Sequence, residues 1–272
     1  MSGAARTAEL IALAAASRVY DLAQPFANGM PQSPNHPRFH LALARRHGDG
    51  VREGGGSAAA EILVLGGHVG THIDALSHVS QDGLLHGGVS AEEAQRGGRF
   101  STLGIETVAP FVGRGILLDV AGLHGVDVLP GGTVITAADL EAAAERAGVR
   151  PRAGDVVLVR SGWARHWGDP DAFVGHASGV PGPGEEAAAW LASAGIRATG
   201  ADTIAYEALA PGAGHASLPV HRHLLVERGI HIIETLQLEE LAAGGVSEFL
   251  FVAAPLKLVG GTGSPLRPLA LV

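Results

Sequence analysis

Apolar and β-branched residues gather in five short runs, mostly bounded by glycine: GRGILLDVAG (113–122), GDVVLVRSG (154–162), IRATGAD (196–202), IHIIETL (230–236) and SEFLFVAAPLKLVG (247–260). Runs of this kind predict buried strands. Helices are predicted between them. Thr136 with Asp139 forms a capping-box pattern ahead of LEAAAERAG, which stops at Gly148. GEEAAAWLASAG carries Glu185 and Glu186 in its first turn, where they favour the helix dipole, and Gly195 past its end. Strand and helix therefore alternate from Gly113 onward, an α/β pattern. The first hundred residues are richer in loops, and NGMPQSPNHPRF (28–39) holds three prolines that argue against helix or central strand. There is no internal repeat or low-complexity linker, so the 272 residues are read as one large domain.

With 46% hydrophobic and 17% charged residues, the chain has enough apolar surface for a sizeable core and too little charge for disorder. Nineteen basic against 27 acidic residues give a net charge of −8, and only ARRHG (44–48) forms a basic spot, which argues against a nucleic-acid partner. The absence of cysteine excludes disulfides and thiolate metal sites, so any metal must sit on imidazoles and carboxylates. Residues 1–17 are read as a helical N-terminal extension. Glu9 interrupts its apolar run and a single arginine supplies its positive charge, which argues against a signal peptide and for a cytoplasmic protein. Every apolar run breaks well before ~18 residues, so no membrane span is predicted.

The densest chemistry lies in LGGHVGTHIDALSH (65–78). His68, His72, Asp74 and His78 all fall at even positions, which share one face of an extended chain, while Val69, Thr71 and Ile73 are β-branched and favour a strand. The helical HExxH type of zinc site does not apply, because no Glu follows either histidine. Gly70 is expected to leave room where two imidazoles converge. Two histidines and a carboxylate form an N/O donor set suited to Zn²⁺, Mn²⁺ or Fe²⁺ with a position open for water. The competing reading is a polar strand end satisfied by backbone or solvent. It suffices for one histidine, whereas three plus an aspartate favour a metal.

HVGTHIDALSH resembles the HxGTHxDxPxH signature of the cyclase family of metal-dependent hydrolases, with Leu76 at the usual proline. GMPQSP (29–34), VLVRSGW (157–163) and LPVHRHLL…GIHIIETL resemble further segments of that family. The resemblance implies a single α/β domain over 18–272, of swivelling β/β/α type with a mixed central sheet. It implies that His68, His72 and Asp74 bind Zn²⁺ or Mn²⁺, as one or two ions per subunit, and that His78 is the catalytic acid/base. His221 and Glu234 look like distal ligands, with His223 the rival of His221. Glu234 also follows the predicted strand GIHII, where a carboxylate can enter a cleft. Thr262 and Ser264 of GGTGSP are expected to line the cleft, and Trp163 or Trp167 to stack on an aromatic substrate. The family implies a homodimer or homotetramer, and the proline-rich arm at 28–37 is suited to reach across an interface.

The implied reaction is hydrolysis of the C–N bond of a small amide or cyclic amide, an aryl formamide or isatin-like ring. A cyclase, dehydratase or lactone hydrolase acting on a polyketide-like substrate is the rival enzyme class, and a non-catalytic metal or small-molecule binding protein is the third. His78 separates them, because a binding module has no use for an extra imidazole beside an open metal position. His215 and Ser217 lack a nucleophile elbow and are read as loop residues. His86, His124, His166 and His176 are given no role.

Overall fold

The computed structural model describes residues 3–272, so Met1 and Ser2 of the expected extension lie outside the described residues. Its strands are Val19–Asp21 (β1), His40–Arg45 (β2), Ala60–Val64 (β3), His72–Asp74 (β4), Phe111–Asp119 (β5), Val134–Ile135 (β6), Val156–Arg160 (β7), Gly182–Pro183 (β8), Ala198–Ala201 (β9), His231–Glu234 (β10), Glu248–Ala253 (β11), Gly263–Pro265 (β12) and Leu269–Leu271 (β13). Nine of them form one curled mixed sheet in the order β1-β13-β11-β5-β7-β9-β10-β4-β12. The inner strands β5, β7, β9 and β10 run parallel and the flanking pairs antiparallel. This is the α/β single domain with a mixed central sheet that the sequence implied.

Parallel neighbours need long crossovers, and here helices supply them. Ala137–Ala147 joins β5 to β7, Glu185–Ser193 joins β7 to β9, and Pro219–His221, continuing as a π-helix over Arg222–Arg228, joins β9 to β10. All five residues of β7 are buried, as expected of a strand covered on both faces. Leu140, Leu191 and Leu224 pack the helices on one face. Ile73, Leu158, Ile233 and Phe251 fill the other.

The capping box is present: the Thr136 hydroxyl accepts from Asp139 N, Asp139 accepts from Thr136 N, and Gly148 closes the helix with φ +66°. Two predicted strands end early. The run at 113–122 turns into a short helix at Val120–Leu123, because the Asp119 carboxylate accepts from Gly122 N and caps it. The run at 247–260 stops at Ala253, two residues before Pro255, which has no N–H for the ladder.

Two elements stand away from the core. The helix Gly3–Ala16 has no buried residue, and the β2–β3 hairpin is exposed along both strands. The proline-rich arm does not project with them. Met30 and Phe39 are buried against Val69, so the arm folds back over its own chain.

Candidate metal centre and catalytic cavity

Strand β4 lies between β10 and β12, with His72 opposite Glu234 on one side and Asp74 opposite Gly263 on the other. This register brings two segments 162 residues apart in the chain, at His72 and Glu234, to one point, where His72 Nε2 is 3.2 Å from Glu234 Oε2. Only His72 and Asp74 share the strand face. His68 and His78 lie in the turns before and after β4, so the alternation inferred for all four holds for the middle pair alone. The turns nevertheless return both rings to the strand. His78 stacks on His68 with centroids 3.8 Å apart, and His68 Nδ1 meets Asp74 Oδ1 at 2.7 Å.

Gly70 has a different reason from the one expected. Its φ is +59°, and a Cβ there would lie 2.3 Å from the Phe26 ring. Glycine is therefore required by the left-handed turn and by Phe26, not by converging imidazoles. The Gly70 carbonyl in turn meets His72 Nδ1 at 2.7 Å, which leaves Nε2 facing Asp74 and Glu234.

The opposite wall comes from His221 and Glu234. His221 Nε2 is 3.0 Å from Glu234 Oε1 and 3.7 Å from Asp74 Oδ2. His223, the rival, pairs instead with Glu227 at 2.8 Å on the π-helix and does not line the cavity. Glu234 Oε1 also accepts from Tyr206 N at 2.7 Å. Two groups of side chains that could hold an ion thus share one aspartate: His68, Asp74 and His78, and Asp74, His221 and Glu234, with one nitrogen or oxygen atom of each within 4.8 Å of the others. Asp74 is fully buried, yet its Oδ2 has no hydrogen-bond partner among the described residues. An unpaired buried carboxylate oxygen is costly, and a cation held by these nitrogens and oxygens would satisfy it.

Burial opposes charge on every one of these groups, and their neighbours decide the outcome. Burial raises the Asp74 pKa, but His78, His68 and His72 outweigh it and hold the carboxyl well below the usual range. Glu234 is brought down to about 2, because hydrogen bonds from His221 and His72 overcome its burial. Burial lowers His72 and His221, yet Glu234 raises the former, and Glu207 with Glu234 raises the latter well above the ordinary histidine value. His78 behaves oppositely: burial, reinforced by His68 and His221 and opposed by Asp74, pushes it down to about 3. The same cluster therefore holds two imidazoles whose carboxylate neighbours favour the charged form and a third in which burial disfavours it.

These groups open into a cavity of about 230 Å³ at the carboxyl ends of β9 and β10, the usual place for a site in a parallel sheet. Ile204, Leu218 and Val79 supply apolar wall, and Gln32, Ser33 and His36 of the arm form its roof. Trp163 and Ser264 do not line it. Trp163 is buried in a separate cluster with Phe173, whose carbonyl accepts its indole N–H at 2.8 Å. Ser264 is spent on the backbone, accepting from Leu256 N and donating to Pro265 O. Thr262 reaches the site indirectly, with its hydroxyl 2.9 Å from His68 Nε2. Trp167 packs edge-on against Phe173.

Sequence reasoning missed three residues. His36 lies over His68 with centroids 5.3 Å apart, and His215 lines the cavity 3.5 Å from the Ser33 hydroxyl. Glu207 binds His221 from behind. No local spacing marks any of them; only the fold brings them in.

A family model described as "Putative cyclase" matches residues 20–208. The chain belongs to the cyclase family. Within that family it is 30% identical to an isatin hydrolase of Roseibium aggregatum over 214 residues, 77% of this chain and 73% of the relative. It is 27% identical to a kynurenine formamidase of Bacillus mycoides over 251 residues, 92% and 96% of the two chains. The crystal structure of a novel cyclase superposes with a TM-score of 0.85 at 30% identity, covering 97% of this chain and 89% of the other. Among the described residues of this cyclase-family chain, no helix is long and apolar enough to cross a membrane.

Proposed function

We propose that this chain is a metal-dependent amidohydrolase that cleaves the C–N bond of a small amide or cyclic amide, of the aryl formamide or isatin-like class that its relatives' names indicate. One observation carries the reading. His68, His72, His221 and Glu234 converge at one cavity over the buried Asp74, whose Oδ2 has no hydrogen-bond partner among the described residues, with the ring of His78 beside them. The N/O donor set suits Zn²⁺ or Mn²⁺, as one ion or two. A bound dication supplies Lewis acidity toward the scissile carbonyl and acidifies water.

The chain's own residues do the rest. Gly70 O and Thr262 orient His72 and His68, keeping ring nitrogens toward Asp74 and Glu234. In this reading His78, stacked on His68 at the cavity and disfavoured as a cation by burial, presents an imidazole nitrogen to the proton of the attacking water. The Asp74 carboxylate favours the imidazolium that results, and the proton then passes to the departing nitrogen. The arm and the apolar wall limit water around the substrate.

In this reading residues 18–272 form the hydrolase unit, preceded by an N-terminal extension that carries the helix Gly3–Ala16. The protein works in the cytoplasm as a homodimer or homotetramer, for which the exposed apolar hairpin and the exposed Leu10, Ile11 and Leu13 of the helix provide surface. The test is metal analysis of purified protein together with a screen of aryl formamides, isatin-like rings and lactones. Chelator-sensitive turnover of an amide with bound Zn²⁺ or Mn²⁺ is expected. Full amide hydrolysis in a rigorously metal-free sample overturns the reading.

A further inference from the structure

Glu207 is 3% exposed and is not among the residues that line the cavity. Its Oε1 accepts from Val220 N at 2.8 Å and its Oε2 from His221 Nδ1. Both partners belong to one turn. The helix Pro219–His221 begins at Leu218 without a side-chain cap, and Pro219 has no N–H, so Val220 carries the first donor that needs a partner. The Glu207 carboxylate satisfies that donor and grips the next ring with the same group. Its own backbone is tightly held, since a Cβ at Gly182 of β8 would lie 2.5 Å from the Glu207 carbonyl carbon. A carboxylate buried this deeply persists only when its oxygens are paired, and these are spent on Val220 and His221. Any influence of Glu207 on the cavity therefore runs through His221.

We propose that Glu207 is a positioning residue that, by accepting the Nδ1 proton, holds His221 in the tautomer presenting Nε2 to a divalent cation shared with Asp74 and Glu234. This rests on the reading of His221 as a ligand. Carboxylates that bind the far nitrogen of a metal-binding histidine act this way, fixing its tautomer and ring angle.

The isosteric Glu207→Gln separates positioning from packing. An amide offers one oxygen where the carboxylate offers two. If that oxygen stays on Val220 N–H, the amide NH₂ faces Nδ1 and drives the imidazole proton onto Nε2, the atom a cation needs. A packing role tolerates this exchange; positioning does not. Competition with a zinc-binding dye should show Zn²⁺ bound about 10- to 100-fold more weakly by Glu207→Gln than by wild type, with the circular dichroism of the metal-free protein unchanged. His221→Ala is the control. If it loses affinity while Glu207→Gln stays within about twofold of wild type, the positioning role is wrong and the ligand role of His221 stands. If His221→Ala also keeps full affinity, His221 is not a ligand and both readings fall. Should the variants fail to fold, ¹⁵N NMR of the zinc-loaded wild type decides: a protonated Nδ1 on His221 is expected, and a protonated Nε2 overturns the proposal.

Discussion

The Thr71 hydroxyl donates to the Thr235 carbonyl at 2.6 Å and accepts from Gln24 N at 2.8 Å. This fully buried threonine, one position before His72, thereby ties β4 to the residue after Glu234. Thr235 holds a left-handed φ of +59°, a strained conformation for a β-branched residue that typically costs about 1–3 kcal/mol. Its N–H is held by Thr203 O. Thr71→Val keeps the shape but leaves a buried carbonyl and a buried N–H unpaired. Urea denaturation should show a loss of about 2–4 kcal/mol, and an unchanged midpoint would show that the hydroxyl is no clamp.

Metal removal should cost stability as well as activity, because a cation that binds the folded chain alone stabilises it by mass action. At a free metal concentration 100 times Kd the gain is about 2.7 kcal/mol. Exhaustive chelation should lower Tm, Zn²⁺ or Mn²⁺ should restore it, and Asp74→Ala should show neither response. A melting curve indifferent to both chelator and metal would contradict the assignment of Asp74 as a ligand.

Much of this arrangement was legible in the sequence where its cause was local. The Thr136–Asp139 cap, the parallel strands and the pairing of His72 with Asp74 follow from short-range rules. Glu234 was named on the family resemblance, with the strand end that precedes it as support. The losses were tertiary. Gly70 is dictated by Phe26, 44 positions away, and Trp163 fills a cluster under the helix Pro170–Val174 instead of facing substrate. His36 and His215 enter the cavity on loops whose direction no periodicity encodes. Glu207 was invisible because its partner, His221, is met only once β9 and the following helix are placed.

The helix Ala137–Ala147 offers a check far from the cavity. Thr136→Ala removes the cap and should lower stability by about 1 kcal/mol. Burial raises the Asp139 pKa, but the Thr136 hydroxyl and backbone N–H outweigh it and lower the value. A carboxyl lowered on folding contributes stability above its unfolded pKa of about 3.9, and that contribution fades as pH falls through the folded value. The gap between wild type and Thr136→Ala should thus be full at pH 7 and narrow below about pH 4. A gap that widens on acidification would remove Asp139 from the account.

The β2–β3 hairpin exposes Leu43, Ile62 and Val64, each more than half accessible. An apolar strand pair of this kind is covered in a stable protein, and a second copy is the expected cover. Light scattering should show a dimer or tetramer, and Leu43→Asp with Ile62→Asp should shift it toward monomer. A wild-type monomer at micromolar concentration would leave the hairpin to another role.

In the proposed reading catalysis and binding separate at His78. Its ring stacks on His68 and lines the cavity, and burial lowers its pKa whereas carboxylate neighbours raise those of His72 and His221. If His78 moves protons while the others hold the ion, His78→Ala should keep its fold and metal content and lose turnover by about 10²- to 10⁴-fold. That loss corresponds to roughly 3–5 kcal/mol in the barrier, far beyond the effect of an ordinary surface substitution. His72→Ala should behave differently, losing metal first, with activity falling in proportion and recovering in part with excess metal. Metal analysis and turnover measured on the same samples distinguish the two. Equal metal loss in both variants would make His78 a ligand, because a group that only transfers protons leaves the affinity of the remaining donors in place.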